Sequence, residues 1–281
     1  MTRIEDRAPG ADFSLSDRVI IITGGAGLLG VKYAEAVAAA GGIPVIADIR
    51  EEAALAQAKS LESAWSVATM GIRLDVTQAD SVEAVRHAVV DRFGRIDALV
   101  NNAANNPKVE APDEAAFSRL ETFSREKWEA DLAVGLTGAF LCSQIIGGAL
   151  AKQGHGVIVN ISSEYGLIAP DQRLYHRDDL PPELQPVKPV SYTVLKAGLH
   201  GLTKYLATYW ADAGVRVNTI TVGGVYNGQP DEFVQRACFR VPMGRMARPT
   251  EIQGALVFLC SDASSFVTGS NIVVDGGKCI W

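Results

Sequence analysis

The segment Arg18-Val19-Ile20-Ile21-Ile22 is a short, apolar, β-branched run that leads without a break into Thr23-Gly24-Gly25-Ala26-Gly27-Leu28-Leu29-Gly30. A run of this kind forms a strand buried on both faces, as in the middle of a parallel sheet. The glycines let the chain turn sharply, and the alanine-rich stretch Val31 to Ala40 reads as a helix. Strand, glycine turn and helix in this order confine the chain to the α/β class, because a buried strand followed by a helix needs a parallel neighbour. Gly25, Gly27 and Gly30 also spell G-x-G-x-x-G. In this context the pattern suits a dinucleotide: a tight turn, close approach of backbone to pyrophosphate, and phosphates at a helix N-terminus. A plain strand-to-helix turn is the bland alternative.

A second strand, Ile43-Pro44-Val45-Ile46-Ala47, ends at Asp48, eighteen positions past Gly30. A carboxylate there accepts hydrogen bonds from adenosine ribose hydroxyls and repels a 2′-phosphate, so Asp48 favours NAD over NADP. Arg50 partly offsets that repulsion.

Strands and helices then alternate. A helix from about Glu51 is followed by a strand near Trp65 to Leu74, a helix Gln78 to Phe93 and the strand Ala98-Leu99-Val100. After a long helix from Arg125 to Lys152 come a strand Val157 to Ile161, a helix from Val190 to Tyr209, a strand Val215 to Ile220, a helix Glu251 to Leu259 and a strand Ile272 to Val274. This rhythm predicts a single-domain Rossmann fold, a doubly wound parallel sheet of about seven strands with helices on both faces. The domain spans 17–281, preceded by a mobile tail over 1–16 and interrupted by an insertion at 164–189 and a lid at 226–249.

With 48% apolar and 21% charged residues, the chain of 281 can build a sizeable core. A net charge of −6 and a pI near 5.3 give no basic footprint, so nucleic acid is not an expected partner. No stretch reaches the roughly 18 uninterrupted apolar residues of a membrane span. The opening Met1 to Phe13 is charged rather than signal-like, which points away from membranes and to the cytoplasm. Cys142, Cys238, Cys260 and Cys279 are scattered, as are His87, His155, His176 and His200, so buried reduced thiols and no metal site are expected. His176 reads as a surface loop residue.

In a doubly wound sheet, ligands bind beyond the carboxyl ends of the strands. The residues there are Asp75-Val76, Asn101-Asn102-Ala103-Ala104, Ser162-Ser163 and Gly223-Gly224-Val225. Each alone is turn or cap chemistry; together they converge on one sheet edge. Tyr192 and Lys196 stand four apart in the helix from Val190, on one face about 6 Å apart. A phenol has a pKa of about 10, and a cation beside it stabilises the phenolate for proton transfer near neutrality.

Taken together, Thr23-Gly24 through Gly30, Asp75-Val76, Asn101-Asn102-Ala103, Ser163, Tyr192 with Lys196, Arg216-Val217-Asn218, and Thr268-Gly269 to Gly277 resemble the short-chain dehydrogenase/reductase family from about Asp17 to Gly277. The resemblance implies that Tyr192 is the general acid/base, that Lys196 holds the nicotinamide ribose and lowers the tyrosine pKa, and that Ser163 hydrogen-bonds the substrate oxygen. It implies a cofactor site at Gly24, Gly27, Leu28, Leu29, Gly30, Asp48, Asp75, Val76, Asn102, Ala103, Tyr192, Lys196, Val225 and Asn227. Self-association to a dimer or tetramer is also implied, with the apolar end Cys279-Ile280-Trp281 packing on a neighbouring subunit.

The chain departs from the family pattern in several places. Leu28 stands where the classical branch of the family carries glycine, and Gly24, Gly27 and Gly30 follow instead the T-G-x-x-G-x-x-G spacing of the extended, nucleotide-sugar branch. Gly135 takes the place of an asparagine that supports a water relay. Val222 replaces a proline, and Asn227 stands where threonine often contacts the carboxamide. Between Ser163 and Tyr192 lie 28 residues, many more than usual. That insertion is rich in Arg, Asp and Tyr, so it reads as a wall for a hydroxylated or phosphorylated substrate, with a solvated surface excursion as the alternative. The combination resembles the subgroup associated with flagellin modification and sugar biosynthesis. The expected activity is NAD-dependent interconversion of a secondary alcohol and a ketone on a polar, sugar-like substrate. A 3-oxoacyl thioester reductase and a non-catalytic nucleotide sensor are the competing readings.

Overall fold

The computed structural model describes residues 12–105 and 118–281. Seven parallel strands form one sheet in the order β3-β2-β1-β4-β5-β6-β7. These are β1 Val19–Thr23, β2 Ile43–Asp48, β3 Met70–Arg73, β4 Ala98–Asn101, β5 Gly156–Ser163, β6 Val215–Val222 and β7 Asn271–Val274. The helices are α1 Leu28–Ala39, α2 Glu51–Trp65, α3 Ala79–Phe93, α4 Arg125–Gln153, α5 Val190–Tyr209, α6 Asp231–Cys238 and α7 Gln253–Cys260.

Alternation along β1 sorts the core into two layers. Ile20 and Ile22 face α1, α2 and α7 through Val37, Ala58 and Leu256. Val19 and Ile21 face the opposite way, towards α3, α4 and α5 through Val85, Ile146 and Leu206. All five β1 residues are buried, as a strand covered on both faces requires. Each fully buried Ile or Leu contributes about 1.5–3 kcal/mol. The sheet reverses direction of winding between β1 and β4, and the crevice at that switch point opens beyond Thr23 and Asn101.

The structure corrects several sequence boundaries. The strand expected from Trp65 begins only at Met70: Trp65 ends α2, and Ser66 caps it in the left-handed region at φ 54°. β5 and β6 run two residues further than their apolar cores, so Ser163 and Val222 pair with each other as the last rungs of the ladder. The tail expected through residue 16 packs onto the domain earlier. Leu15 is fully buried, and its amide donates to the Ala40 carbonyl. Residues 1–11 lie outside the described residues.

α4 is one helix of 29 residues interrupted by π-helical turns at Ala133–Thr137 and Ser143–Gly147. By length and mean hydropathy it could cross a membrane, although Thr137, Ser143 and Gln144 interrupt its apolar run. Here Cys142, Ile146 and Leu150 are buried against the sheet.

Candidate functional site

Gly24 adopts φ +61°, and a Cβ there would lie 3.0 Å from Ala103 Cα. A Cβ on Gly30 would sit 2.2 Å from the Gly24 carbonyl, so Gly30 lets α1 start directly beneath the turn. Gly30 therefore shapes the turn and does not line the cavity, whereas Gly24, Gly27, Leu28 and Leu29 do. Asn102 braces the turn from β4: its side-chain amide donates to the carbonyls of Thr23 and Gly24 at 3.0 and 3.1 Å. The Thr23 hydroxyl accepts the amides of Asn102 and Ala103, both at 3.0 Å.

Asp48 closes the far end of the cavity. One carboxylate oxygen accepts the Ala26 amide at 3.0 Å, and the other accepts the Arg50 amide at 3.1 Å and Nε at 3.3 Å. Arg50 also reaches the Ala26 carbonyl, so its guanidinium lies over the turn beside Asp48. Asp75 and Val76 line the adjoining wall. Hydrogen bonds from the Thr77 hydroxyl and amide hold the Asp75 carboxyl below its usual range.

At the other end, β5 presents Ser163 to Tyr192 and Lys196 on α5. The Ser163 hydroxyl bonds the Tyr192 phenol and pulls its pKa down, but burial outweighs that and raises the phenol above its ordinary value. Lys196 is buried and donates to the Ile161 carbonyl at 2.7 Å. Burial, then the nearby Lys188 charge, lowers its pKa to about 8. Ser163 keeps its register to α5 because the turn Glu164–Gly166 lies directly on that helix: a Cβ on Gly166 would be 2.8 Å from the Lys196 carbonyl. Ser162 adds a bond to the same carbonyl at 2.8 Å. Beneath the site, Asn101, Asn160 and Thr203 form a buried chain across β4, β5 and α5, with links of 2.8 Å.

Gly135 lies on the first π-helical turn, and a Cβ there would meet Leu195 Cδ1 at 2.9 Å. Leu195 thus occupies the space that a side chain at 135 needs.

The insertion turns Glu164 and Lys188 towards the cavity, but most of its charges pair with one another away from it. Arg173 is 86% exposed and paired with Asp171; Arg177 pairs with Asp179, and His176 with Asp178 at the surface. Beyond Glu164 and Tyr165 at its start, it buries Leu174 and Tyr175, and Tyr175 packs on Phe233 of α6 with ring centroids 6.0 Å apart. Val225, Asn227, Phe233 and Met243 carry the wall onward through 226–249. Leu174, Tyr175 and this wall, with the glycine turn and the strand ends, enclose one cavity of about 900 Å³ running from Asp48 to Tyr192.

Comparison with known proteins decides the family. Residues 18–175 match the short chain dehydrogenase profile, and residues 185–278 match a profile described as enoyl-(acyl carrier protein) reductase. The chain belongs to the short-chain dehydrogenase/reductase family. It is 34% identical to D-threitol dehydrogenase of Mycolicibacterium smegmatis, covering 100% of both chains. It is 30% identical to NAD-dependent glycerol dehydrogenase of Listeria innocua over 96% of each. A crystal structure of gluconate 5-dehydrogenase from Burkholderia cenocepacia with NADP and tartrate superposes with a TM-score of 0.83 at 30% identity, covering 96% of this chain and 98% of that one.

The protein is therefore an NAD(P)-dependent oxidoreductase, and the cavity fits that cofactor. The glycine turn leaves backbone without Cβ atoms facing the space, and α1 begins there with no side-chain cap. Asp48 stands at a distance from Tyr192 along the same cavity. When bound, the nicotinamide accepts or gives the hydride.

Sequence reasoning missed two features of this site. Lys188 holds its ammonium 3.9 Å from the centroid of the Tyr192 ring. Glu164 and Lys278 form a buried pair at 2.5 Å across 114 residues of sequence. Burial raises the Glu164 carboxyl above its usual range despite the lysine. Four residues before the tyrosine, Lys188 sat at helical spacing but ahead of Pro189, where no helix continues. No local pattern joins Glu164 to Lys278.

Proposed function

We propose that this protein interconverts a secondary alcohol and a ketone on a polyhydroxylated, sugar-like substrate, with NAD preferred to NADP. The observation that carries the reading is the meeting of Ser163, Tyr192 and Lys196 at one end of the cavity whose other end holds Asp48. In this reading the Ser163 hydroxyl donates to the substrate oxygen and fixes the reacting carbon. Tyr192 moves the proton at that oxygen, and Lys196 keeps positive charge beneath the phenol and holds a ribose hydroxyl. Leu28, Leu29 and the glycine turn seat the pyrophosphate, while Asp75, Val76, Asn102, Ala103, Val225 and Asn227 flank the rings. The segment 226–249 acts as a lid over the substrate. Sugar-like specificity draws support from the names of the relatives and from the polar groups of Tyr165, Tyr175 and Lys188 at the reacting end.

NAD preference rests on Asp48, whose charge opposes a 2′-phosphate. Relatives of both habits exist, one named NAD-dependent and one solved with NADP. We also propose self-association through the carboxyl end. Ile280 and Trp281 are 79% and 68% exposed, and the Trp281 indole donates to the Arg240 carbonyl beside exposed Phe239. Formation of reduced nicotinamide, followed with NAD and NADP across three- to six-carbon polyols, sugar acids and simple secondary alcohols, tests the reading. Turnover of polyols with NAD supports it. Turnover confined to the simple secondary alcohols, or to none of the panel, refutes it.

A further inference from the structure

Beside Ser163 and Tyr192, the wall of the cavity carries a buried chain of polar groups that proton transfer at Tyr192 does not use. It starts with the two residues after Ser163. The Glu164 carboxylate holds the Lys278 ammonium at 2.5 Å, and Lys278 in turn bonds the Tyr165 hydroxyl, with Nζ 5.1 Å from the centroid of that ring. The Tyr165 hydroxyl also bonds that of Tyr175. All four residues are buried and line the cavity. Taking an ion pair out of water is costly, and a wall for a monohydric alcohol or an acyl chain needs none of these groups.

A phenol has one hydrogen to donate and two lone pairs with which to accept. Lys278 has only hydrogens to give, so it donates to the Tyr165 oxygen. Tyr175 donates there too. Burial raises both phenols, but their shared bond pulls Tyr165 down and pushes Tyr175 further up, as befits acceptor and donor. Both lone pairs of Tyr165 are then engaged, which leaves its own hydrogen for a further acceptor. The residue stands next to the reacting groups. Its amide donates to Ser163 Oγ at 3.3 Å, and its ring lies at 77° to that of Tyr192 with centroids 6.5 Å apart. A site built to bond a substrate hydroxyl rejects the analogue that lacks it, because its own buried polar group is then left without a partner.

We propose that Tyr165 is a specificity-determining residue that donates a hydrogen bond to a hydroxyl on the carbon next to the reacting one, with Lys278 and Tyr175 as positioning residues that fix its oxygen. The substrate class is then a vicinal diol or longer polyol, in preference to a secondary alcohol with no hydroxyl neighbour. This rests on the reading that Ser163 and Tyr192 hold the reacting oxygen.

Steady-state oxidation with NAD tests it on two matched pairs: 2,3-butanediol with 2-butanol, and threitol with 1,3-butanediol, whose secondary hydroxyl has no hydroxyl on either neighbouring carbon. The expected result is a kcat/KM at least tenfold higher for the vicinal member of each pair. That ratio should fall towards one in Tyr165→Phe. The double change Glu164→Gln with Lys278→Met removes both charges together and releases the Tyr165 hydroxyl. It should lower the ratio at least threefold, through KM rather than kcat, and it decides by the same criterion if Tyr165→Phe does not fold. Fluorescence of bound NADH shows which variants are folded. Equal kcat/KM within the pairs for wild type, or a ratio that survives Tyr165→Phe in a protein that binds NADH normally, overturns the proposal. An equal loss on both members of a pair, with the ratio intact, also overturns it and assigns Tyr165 to the placement of Ser163 and Tyr192. Oxidation of the compounds without preference sinks only the role of Tyr165, whereas absence of any oxidation sinks the proposed activity.

Discussion

Tyr192 lies where burial raises its pKa, so the phenol needs its neighbours before it can exchange a proton near neutrality. Ser163 supplies one opposing influence. Lys196, with Nζ 5.8 Å from the ring centroid, supplies a cation that is itself weakened by burial. The linkage has a definite sign. Lys196 holds its proton to about 8 when folded and to 10.5 ordinarily, so the unfolded chain binds the extra proton between those values. The cost of the buried cation is fully present below about 8 and is relieved as pH rises towards 10.5. Wild type should therefore gain stability across that window relative to Lys196→Met, as read from urea midpoints of both proteins at several pH values. At the opposite end, Asp48→Asn keeps an acceptor for the Ala26 amide but removes the charge. Its kcat/KM ratio for NADP over NAD should rise about tenfold, which is about 1.4 kcal/mol; an unchanged ratio would mean that Arg50 already cancels the aspartate.

The elements that were legible from sequence are those whose chemistry is local. β1 with its glycine turn, Asp48 at the end of β2, and Tyr192 with Lys196 on α5 each lie within one strand, turn or helix. The insertion was harder to read because composition alone does not say which way a side chain faces. Its arginines and aspartates satisfy each other at the surface, and the Asp171 carboxyl, lowered to about 2 by Arg173, is one such pair. Leu174 and Tyr175 instead take the buried positions against α6. The Glu164–Lys278 pair depends on segments brought together only by the fold, whereas Lys188 is near Tyr192 in sequence but lies ahead of the helix start at Val190. Gly135 is a similar case: its meaning comes from Leu195 on α5. Gly135→Ala should cost about 1–3 kcal/mol through overpacking. Adding Leu195→Ala should make the pair less destabilising than the sum of the two single changes, a coupling that a double-mutant cycle on urea unfolding measures.

Across the whole molecule, one parallel sheet places four strand ends around a single crevice, and the winding switch between β1 and β4 sets its position. That architecture was predictable from the strand and helix rhythm, since each buried strand needs helices on both faces. The surface of the assembled domain was less so. Exposed Ile280 and Trp281 become intelligible if a second subunit covers them, and Ile280→Asp should shift the protein to a smaller species in analytical ultracentrifugation. An unshifted sedimentation coefficient would remove the carboxyl end from the interface. The most direct test of the proposed activity is Tyr192→Phe, assayed for polyol oxidation and, separately, for NADH binding by fluorescence. Turnover should fall by about 10²–10⁴-fold with cofactor affinity nearly unchanged; turnover that persists in the variant would contradict the assignment of proton transfer to Tyr192.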